Sequence, residues 1–428
     1  MSTRADHPPA SASSVNPGAV IPGIIILGGA HNALALARSF GRKNIPVVLV
    51  SNDHPLPSFS RYVSRSIGWP GAMAPDAANW LTALAAQNGY QNWLLLPCAD
   101  NEVQLVSENH DLLRATFQVF GTPWSDLQHL CNKQLLVHAA QKAGVAVPKS
   151  YDVNSAEDAA RVEVTFPVVL KPAMRLTRNA FTSAKAWRAE TRDELVELYR
   201  KAAALQGQDG IVVQEYIPGG GEAQFSYAGL WSANAPVAEL AARRTRQYPV
   251  EFGYTSTFVE IVDNDEVMRT GRKLLSSAGF EGLVEVEFKY DARNGAYKVL
   301  DVNPRSWSWL SLCEAGGFDF ARSIEAILKG DTLAIQHALS GHAWVHVSRD
   351  LAAAIQLMLM NRLNLGDWFK SYRQKLTCAV FAWDDPLPAF LELPTVVVRV
   401  FWRMLAGYGQ ALRAQPKLPR RDIRTKLL

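Results

Sequence analysis

Residues 24–53 restrict the fold of this chain more than any other segment. IIILGG (24–29) is a compact apolar run that ends on two glycines. HNALALARSFGRKN then repeats its apolar residues with helical spacing, and IPVVLVSND (45–53) is a second apolar run. Strand, turn, helix, strand is the order of a βαβ unit, which belongs to a parallel sheet. Gly28 and Gly29 look like a phosphate loop, but GGAHNA is not a full G-x-G-x-x-G. Glycines that let a helix begin close to a strand explain the pair at least as well. A further strand, WLLLPCAD (93–100), precedes the helix-like NEVQLVSENHDLLRA, so residues 23–125 read as one α/β domain.

A second unit begins near SDLQHLCNKQLLVHAAQKAGVAVPKS (125–150), where Leu130, Leu135, Leu136 and Ala140 form a helical stripe that Gly144 and Pro148 end. FPVVLKPA (166–173) is a strand closing on Lys171, and MRLTRNAFTSAKAW (174–187) has the polarity of a loop leading into a strand. ETRDELVELYRKAAALQG (190–207) carries a Thr cap, acids in its first turn and an apolar stripe, and is a helix. GIVVQEYIPGGGEAQFSYAGL (210–230) reads as two strands around a Gly-rich turn. From Ala238 to Leu300 strands flank one helix, DEVMRTGRKLLSSAG (265–279). Residues 331–428 form a tail enriched in Trp and Arg, with no internal repeat anywhere.

Composition narrows the function classes. Hydrophobic residues make up 48% of the 428 and charged residues 20%, as in a globular protein with a large core. A net charge of +4 gives no reason to expect nucleic acid, and no nucleic-acid motif is present. Cys98, Cys131, Cys313 and Cys378 are widely spaced, with no C-x-x-C and no His spacing for zinc, so buried free thiols in a reducing, cytoplasmic compartment are expected. His31, His54, His110, His129 and His138 read as surface or core histidines. Residues 1–22 are polar, lack the apolar stretch of a signal peptide, and are expected to be a disordered leader. No uninterrupted run of 18 apolar residues occurs, so no spanning helix is expected.

Chemistry concentrates in EGLVEVEFKYDARNGAYKVLDVNPR (281–305). Glu287, Asp301 and Asn303 lie on two short strand-like runs joined by a turn, and Arg305 follows. Two carboxylates and an amide suit a hard divalent cation, which takes a few protein oxygens and leaves the rest to phosphates. Lys171 ends a strand, from which its ammonium can reach a phosphate. Lys133 begins a helix, where the macrodipole disfavours a cation unless an anion is bound. Backbone groups of VVQEYIPGGGE can read an adenine, and Glu222, seven residues after Glu215, can accept ribose hydroxyls. Among Arg243, Arg244 and Arg246, near a strand end, Arg246 is favoured as a clamp for a γ-phosphate or a substrate carboxylate. Ser306, Trp307 and Trp309 either line an acceptor pocket or pack.

That order of residues over about 24–330 resembles the ATP-grasp superfamily, in its carboxylate–amine ligase branch. The resemblance implies an α/β and α+β ATP-grasp fold: a Rossmann-like domain (23–125), a central lid (126–212), a C-terminal ATP-grasp subdomain (213–330) and a helical extension with a basic tail (331–428). It implies ATP, held by Lys133, Lys171 and Lys185, with Glu215, Tyr216 and Ile217 at the adenine and Glu222 at the ribose. It implies Mg²⁺ or Mn²⁺ on Glu287, Asp301 and Asn303, with Arg305 at the transferred phosphate. Asp301 stands where the family usually has Glu. The loop 174–185 lacks the family's glycine-rich run, and Arg175, Arg178 and Lys185 are its substitutes.

The implied reaction is ATP-dependent formation of an amide from a small carboxylate and a small amine through an acyl phosphate. The competing expectation is a nucleotide-binding regulatory or scaffold protein without ligase activity. Many members of such a family are homodimers. The segment 386–428 holds eight Lys/Arg against two acids beside an apolar stretch. It reads either as an amphipathic element on the anionic inner face of a membrane or as a helix packed on the core with a solvated basic end.

Overall fold

The computed structural model describes residues 20–52, 54–174, 179–251, 253, 255–331 and 333–397. The expectations for most of the leader (1–19), for Arg175 and Arg178, and for the basic tail beyond residue 397 lie outside the described residues.

Strands β1 (Ile24–Leu27), β2 (Val47–Val50), β3 (Arg65–Ile67), β4 (Leu94–Pro97) and β5 (Gln118–Val119) form a parallel sheet in the order β3-β2-β1-β4-β5. Its helices are α1 (His31–Gly41), α2 (Ala77–Asn88), α3 (Asp100–Glu108) and α4 (His110–Arg114). β1 and β2 are buried along their whole length, because helices cover both faces. The strand order reverses between β1 and β4, the position at which open α/β sheets bind ligands. Gly28 and Gly29 adopt φ of 71° and 88°. A Cβ on Gly29 would lie 2.6 Å from that of Cys98, so close packing of helix on strand demands the glycine.

Two segments that each carry helical periodicity are split at an asparagine. α3 ends and α4 begins around Asn109, whose side chain donates to Leu105 O. α5 (Trp124–Cys131) gives way to α6 (Lys133–Lys142) at Asn132, whose Oδ1 accepts from the Gln134 amide. Asparagine competes for backbone groups and so favours caps over helix interiors. The second break makes Lys133 the first residue of a helix.

The next sheet is antiparallel, ordered β6-β9-β7-β8: β6 (Ser150–Tyr151), β7 (Val168–Pro172), β8 (Trp187–Ala189) and β9 (Ile211–Glu215). α7 (Ala156–Arg161), α8 (Ala180–Ala184) and α9 (Arg192–Gln206) accompany it, and together they enclose a separate small core. Thr191 caps α9, as expected from the sequence. α8 replaces part of the expected loop, because Asn179 and Thr182 form a reciprocal capping box.

The largest sheet follows β14-β13-β10-β11-β12-β16-β17, with β15 beside β11. Its strands are β10 (Gln224–Ser232), β11 (Ala235–Tyr248), β12 (Thr255–Val262), β13 (Gly282–Asp291), β14 (Ala296–Asn303), β15 (Gln336–His337), β16 (His342–Val345) and β17 (Lys375–Cys378). The helices are α10 (Asp265–Ser277), α11 (Ser311–Ala315), α12 (Phe320–Lys329), α13 (Val347–Leu359) and α14 (Leu365–Ser371). The tail thus contributes strands β15–β17 to the main sheet as well as helices. β9 and β10, which read as neighbours around a turn, belong to different sheets, so residues 216–223 connect two layers. One continuous core joins β1 and α1 to this sheet through Trp307, Trp309 and Trp344. Trp307 and Trp309 are buried, which decides for packing over an acceptor pocket. A final helix starts at residue 387 and is described to 397. Among the described residues no helix is long and apolar enough to cross a membrane.

Candidate active site

A cleft opens between the four-stranded sheet and the large sheet. It holds about 810 Å³ of empty space, solvent at its mouth included. From one side come Lys171 on β7, Lys185 after α8, and Glu215, Tyr216 and Ile217 at the end of β9. From the other come Arg244 on β11, Glu287 on β13 and Asp301 on β14, with Lys133 at the start of α6.

The carboxylates owe their arrangement to strand register. Glu287 pairs with Asp301 and Glu285 with Asn303 across β13 and β14. Residues opposite one another, and those two apart, share one face of a sheet. All four side chains therefore project on one side. Asn303 Nδ2 donates to Glu287 Oε1 at 3.1 Å and to Glu285 Oε2 at 3.3 Å. Arg244 Nη1 lies 2.6 Å from Glu287 Oε2, and Lys133 Nζ lies 3.0 Å from Asp301 Oδ1. Burial alone would lower Arg244, but Glu287 and Glu285 hold it above its usual range. Burial, with Glu287 beside it, pushes the Glu285 carboxyl up.

Cations outnumber anions deep in the cleft. Burial, reinforced by nearby Lys133, pushes Lys171 down to about 8. Lys289, which donates to Gly219 O, is likewise pushed down to about 8 by burial. A polyanion placed there would offset both effects, so the residues present fit nucleotide phosphates. The carboxylate oxygens of Glu287 and Asp301, which line the cleft, fit a hard divalent cation.

At the other end, Ile217 is buried and Tyr216 stacks below the Arg188 guanidinium, 4.3 Å from its ring centre. The Glu215 and Tyr216 amides already donate to Lys149 O and Pro167 O. The Ile217 amide meets no such acceptor among the described residues, and Ile217 lines the cleft. The Glu215 carboxylate points away, to Lys298 and Arg293 at 2.6 Å each and to the Lys149 amide. Burial opposes its ionisation, yet these three donors hold it below the usual carboxylate range.

Four expected site residues do not line the cleft. Asn303 is buried behind the carboxylates it bridges. Arg305 Nε donates to Asp100 Oδ1 at 2.5 Å, linking the end of β14 to the switch point of the parallel sheet. Glu222 is half-exposed on a turn, accepting from the Gly220 amide and lying 3.5 Å from Arg362. Arg246 requires a correction: its guanidinium is buried against Asp350, at 2.8 and 2.9 Å, and not in the cleft. The arginine that enters the site is Arg244. The cause is a bulge in β11, where Arg243 faces Glu260 but Arg246 faces Phe258, so three residues span two. Simple alternation would put Arg244 and Arg246 on one face, and the extra residue separates them.

Sequence reasoning also passed over Glu285, Lys289 and Asp100. The i, i+2 spacing of Glu285 and Glu287 in EVEF was the available signal for the first. Nothing local marked Asp100 as the partner of Arg305, 205 residues away.

No protein-family profile matches the chain. It is similar to D-aspartate ligase of Enterococcus faecium, 23% identical over 321 residues that cover 70% of this chain and 75% of that one. It is also similar to the carbamoyl phosphate synthase large chain of Methanothermobacter thermautotrophicus, 23% identical over 227 residues, 50% of this chain and 21% of that one. Among solved structures, L-amino acid ligase from Bacillus licheniformis superposes with a TM-score of 0.56 at 17% identity, covering 72% of this chain and 74% of that one. An ADP complex of N5-carboxyaminoimidazole ribonucleotide synthetase gives 0.57 at 14% identity, covering 74% and 79%.

Proposed function

The chain belongs to the ATP-grasp superfamily, and on that premise we propose that it is an ATP- and Mg²⁺-dependent carboxylate–amine ligase. The observation that carries the reading is the meeting, in one cleft between two sheets, of Lys133, Lys171 and Lys185 with Glu287 and Asp301. Lys133, Lys171, Lys185 and Arg244 hold the triphosphate, and the Ile217 amide and Tyr216 ring hold the base. Glu287, Asp301 and Asn303 hold Mg²⁺ (Mn²⁺ suits the same oxygens), which supplies charge neutralisation at the phosphates when bound.

In the proposed reaction a substrate carboxylate oxygen takes the γ-phosphoryl group and ADP leaves. The amine then attacks the acyl carbon, its proton is lost, and inorganic phosphate departs. No enzyme nucleophile is required. The chain's part is positioning and electrostatics. Arg305, held outside the cleft lining by Asp100 and by Asn303 Oδ1, would stabilise the transferred phosphate on turning from Asp100. The four-stranded sheet forms one wall of the site, and in the loaded cleft it would help exclude water, which would otherwise hydrolyse an acyl phosphate. Arg244 and Lys133 pair with Glu287 and Asp301, and both cations would be available to phosphates were a metal ion to take those carboxylates.

The test is ADP release across amino acids, peptides and sugar acids, each paired with amines. ADP formation that requires one carboxylate and one amine together, with Mg²⁺, is the expected result. ADP formation independent of both, or none with any pair, would overturn the proposal.

The lysines add a pH prediction. Lys171 is pushed down to about 8 in the nucleotide-free chain, and bound phosphates raise it. Binding therefore takes up a proton above pH 8. ATP affinity is expected to be constant below about pH 7 and to fall as pH rises beyond 8. Titration calorimetry in buffers of different ionisation enthalpy measures the proton uptake, and Lys171→Met should reduce it.

A further inference from the structure

Far from the nucleotide cleft in sequence, three side chains from different parts of the fold converge on one point. His31 is the first residue of α1, His346 the residue between β16 and α13, and Glu392 lies in the helix that begins at residue 387. His31 Nε2 and His346 Nε2 are 3.2 Å apart. The same Glu392 Oε1 lies 3.0 Å from His346 Nε2 and 3.5 Å from His31 Nε2. Both histidines are buried, and the glutamate side chain is only 13% exposed.

Hydrogen bonds alone cannot satisfy this triangle. A carboxylate oxygen only accepts, and each imidazole Nε2 carries at most one proton. With both nitrogens protonated, two N–H groups face one another across the nitrogen–nitrogen gap. With one protonated, the other nitrogen's lone pair faces the carboxylate. One edge is left without a hydrogen bond in either case, which a cation at the centre would resolve. In a tetrahedral zinc site with bonds of about 2.0–2.1 Å, neighbouring ligand atoms stand ~3.3 Å apart. The three observed edges bracket that value. Two imidazoles and one carboxylate, with a fourth position open, is also the donor set of catalytic zinc centres.

We propose that His31, His346 and Glu392 form a binding site for a Zn²⁺-class divalent cation, separate from the Mg²⁺ site at Glu287 and Asp301. Ser348 Oγ, 3.4 Å from His346 Nδ1, is placed to orient that ring from behind, as outer partners of metal-bound histidines do. Arg349, on the same helix, is a nearby positive charge acting on His31. The ion ties the final helix to the parallel sheet. Arg38–Asp385 and Arg42–Asp384, at 2.9 and 2.7 Å, already fasten the residues before that helix to α1.

The test uses the full, untagged chain stripped with chelator and titrated with Zn²⁺ in excess Mg²⁺, with Co²⁺ absorption as a second readout. One equivalent of Zn²⁺ is expected in wild type and in Glu287→Gln, with an intense visible Co²⁺ band. Glu392→Gln should weaken binding at least tenfold, and His346→Ala should abolish it. Zinc should raise the melting temperature of wild type but not of Glu392→Gln. Should His346→Ala fail to fold, Glu392→Gln decides, because it preserves shape in a partly exposed side chain. No stoichiometric uptake by wild type, equal uptake by Glu392→Gln, or loss of uptake in Glu287→Gln would each overturn the proposal.

Discussion

Glu287→Gln is expected to reduce ADP formation at least ~100-fold, beyond the ~10–100-fold typical of losing an outer partner of a metal ligand. The substitution keeps the shape of the side chain and can still accept from Asn303 and Arg244. It removes the charge that a hard cation requires. The fold should survive, because Arg244 also faces Glu285 and so is not left as an uncompensated buried cation. Asn303→Ala is the companion: it removes the amide that bridges Glu285 and Glu287 and one proposed oxygen ligand. Steady-state ADP release, alongside circular dichroism and thermal melts, separates chemistry from folding. Turnover close to wild type in both variants would remove the metal-site reading.

The second large effect concerns stability. Asp350 is fully buried and accepts from five side-chain donors: Arg246 twice, Thr257, Trp368 and Tyr372. Asp350→Ala leaves the buried Arg246 guanidinium without its counter-charge, which costs about 3–5 kcal/mol. Arg246→Met leaves Asp350 buried and charged, but with three neutral donors remaining, so its cost is expected to be smaller. Both changes should appear as lower denaturant midpoints with the slope unchanged. The kcat of the molecules that remain folded should stay within a few-fold of wild type. A kcat collapse in Arg246→Met at wild-type stability would restore Arg246 as a substrate clamp and overturn the placement argued from β11.

Much of the site was legible because its signals are local. Lys171 ends an apolar strand and Lys133 begins a helix, and these termini are readable from periodicity and punctuation. Glu287, Asp301 and Asn303 were legible because the period of a strand is two and a short turn joins β13 to β14. Arg244 and Arg246 were not separable, since a single extra residue in β11 reverses which face each one takes and leaves no mark in composition. Trp307 and Trp309 follow the metal motif directly, yet they serve the core shared with α1. Adjacency along the chain says nothing about which face packs. Glu222 kept its seven-residue offset from Glu215 but turned to Gly220 and Arg362, because the linker between the two sheets folds back on itself.

The sequence by itself determined the parallel βαβ beginning, the order of lysines and carboxylates, and the oxygen-rich hairpin at residues 281–305, all set by interactions within a few residues. Only the tertiary structure decided which arginine joins that hairpin, what holds Arg305, and that His31, His346 and Glu392 meet. His31 and His346 are 315 residues apart and 3.2 Å distant. Local periodicity sets the face a side chain takes on its own element. The packing of elements against one another sets which faces come together, and no spacing along the chain encodes that.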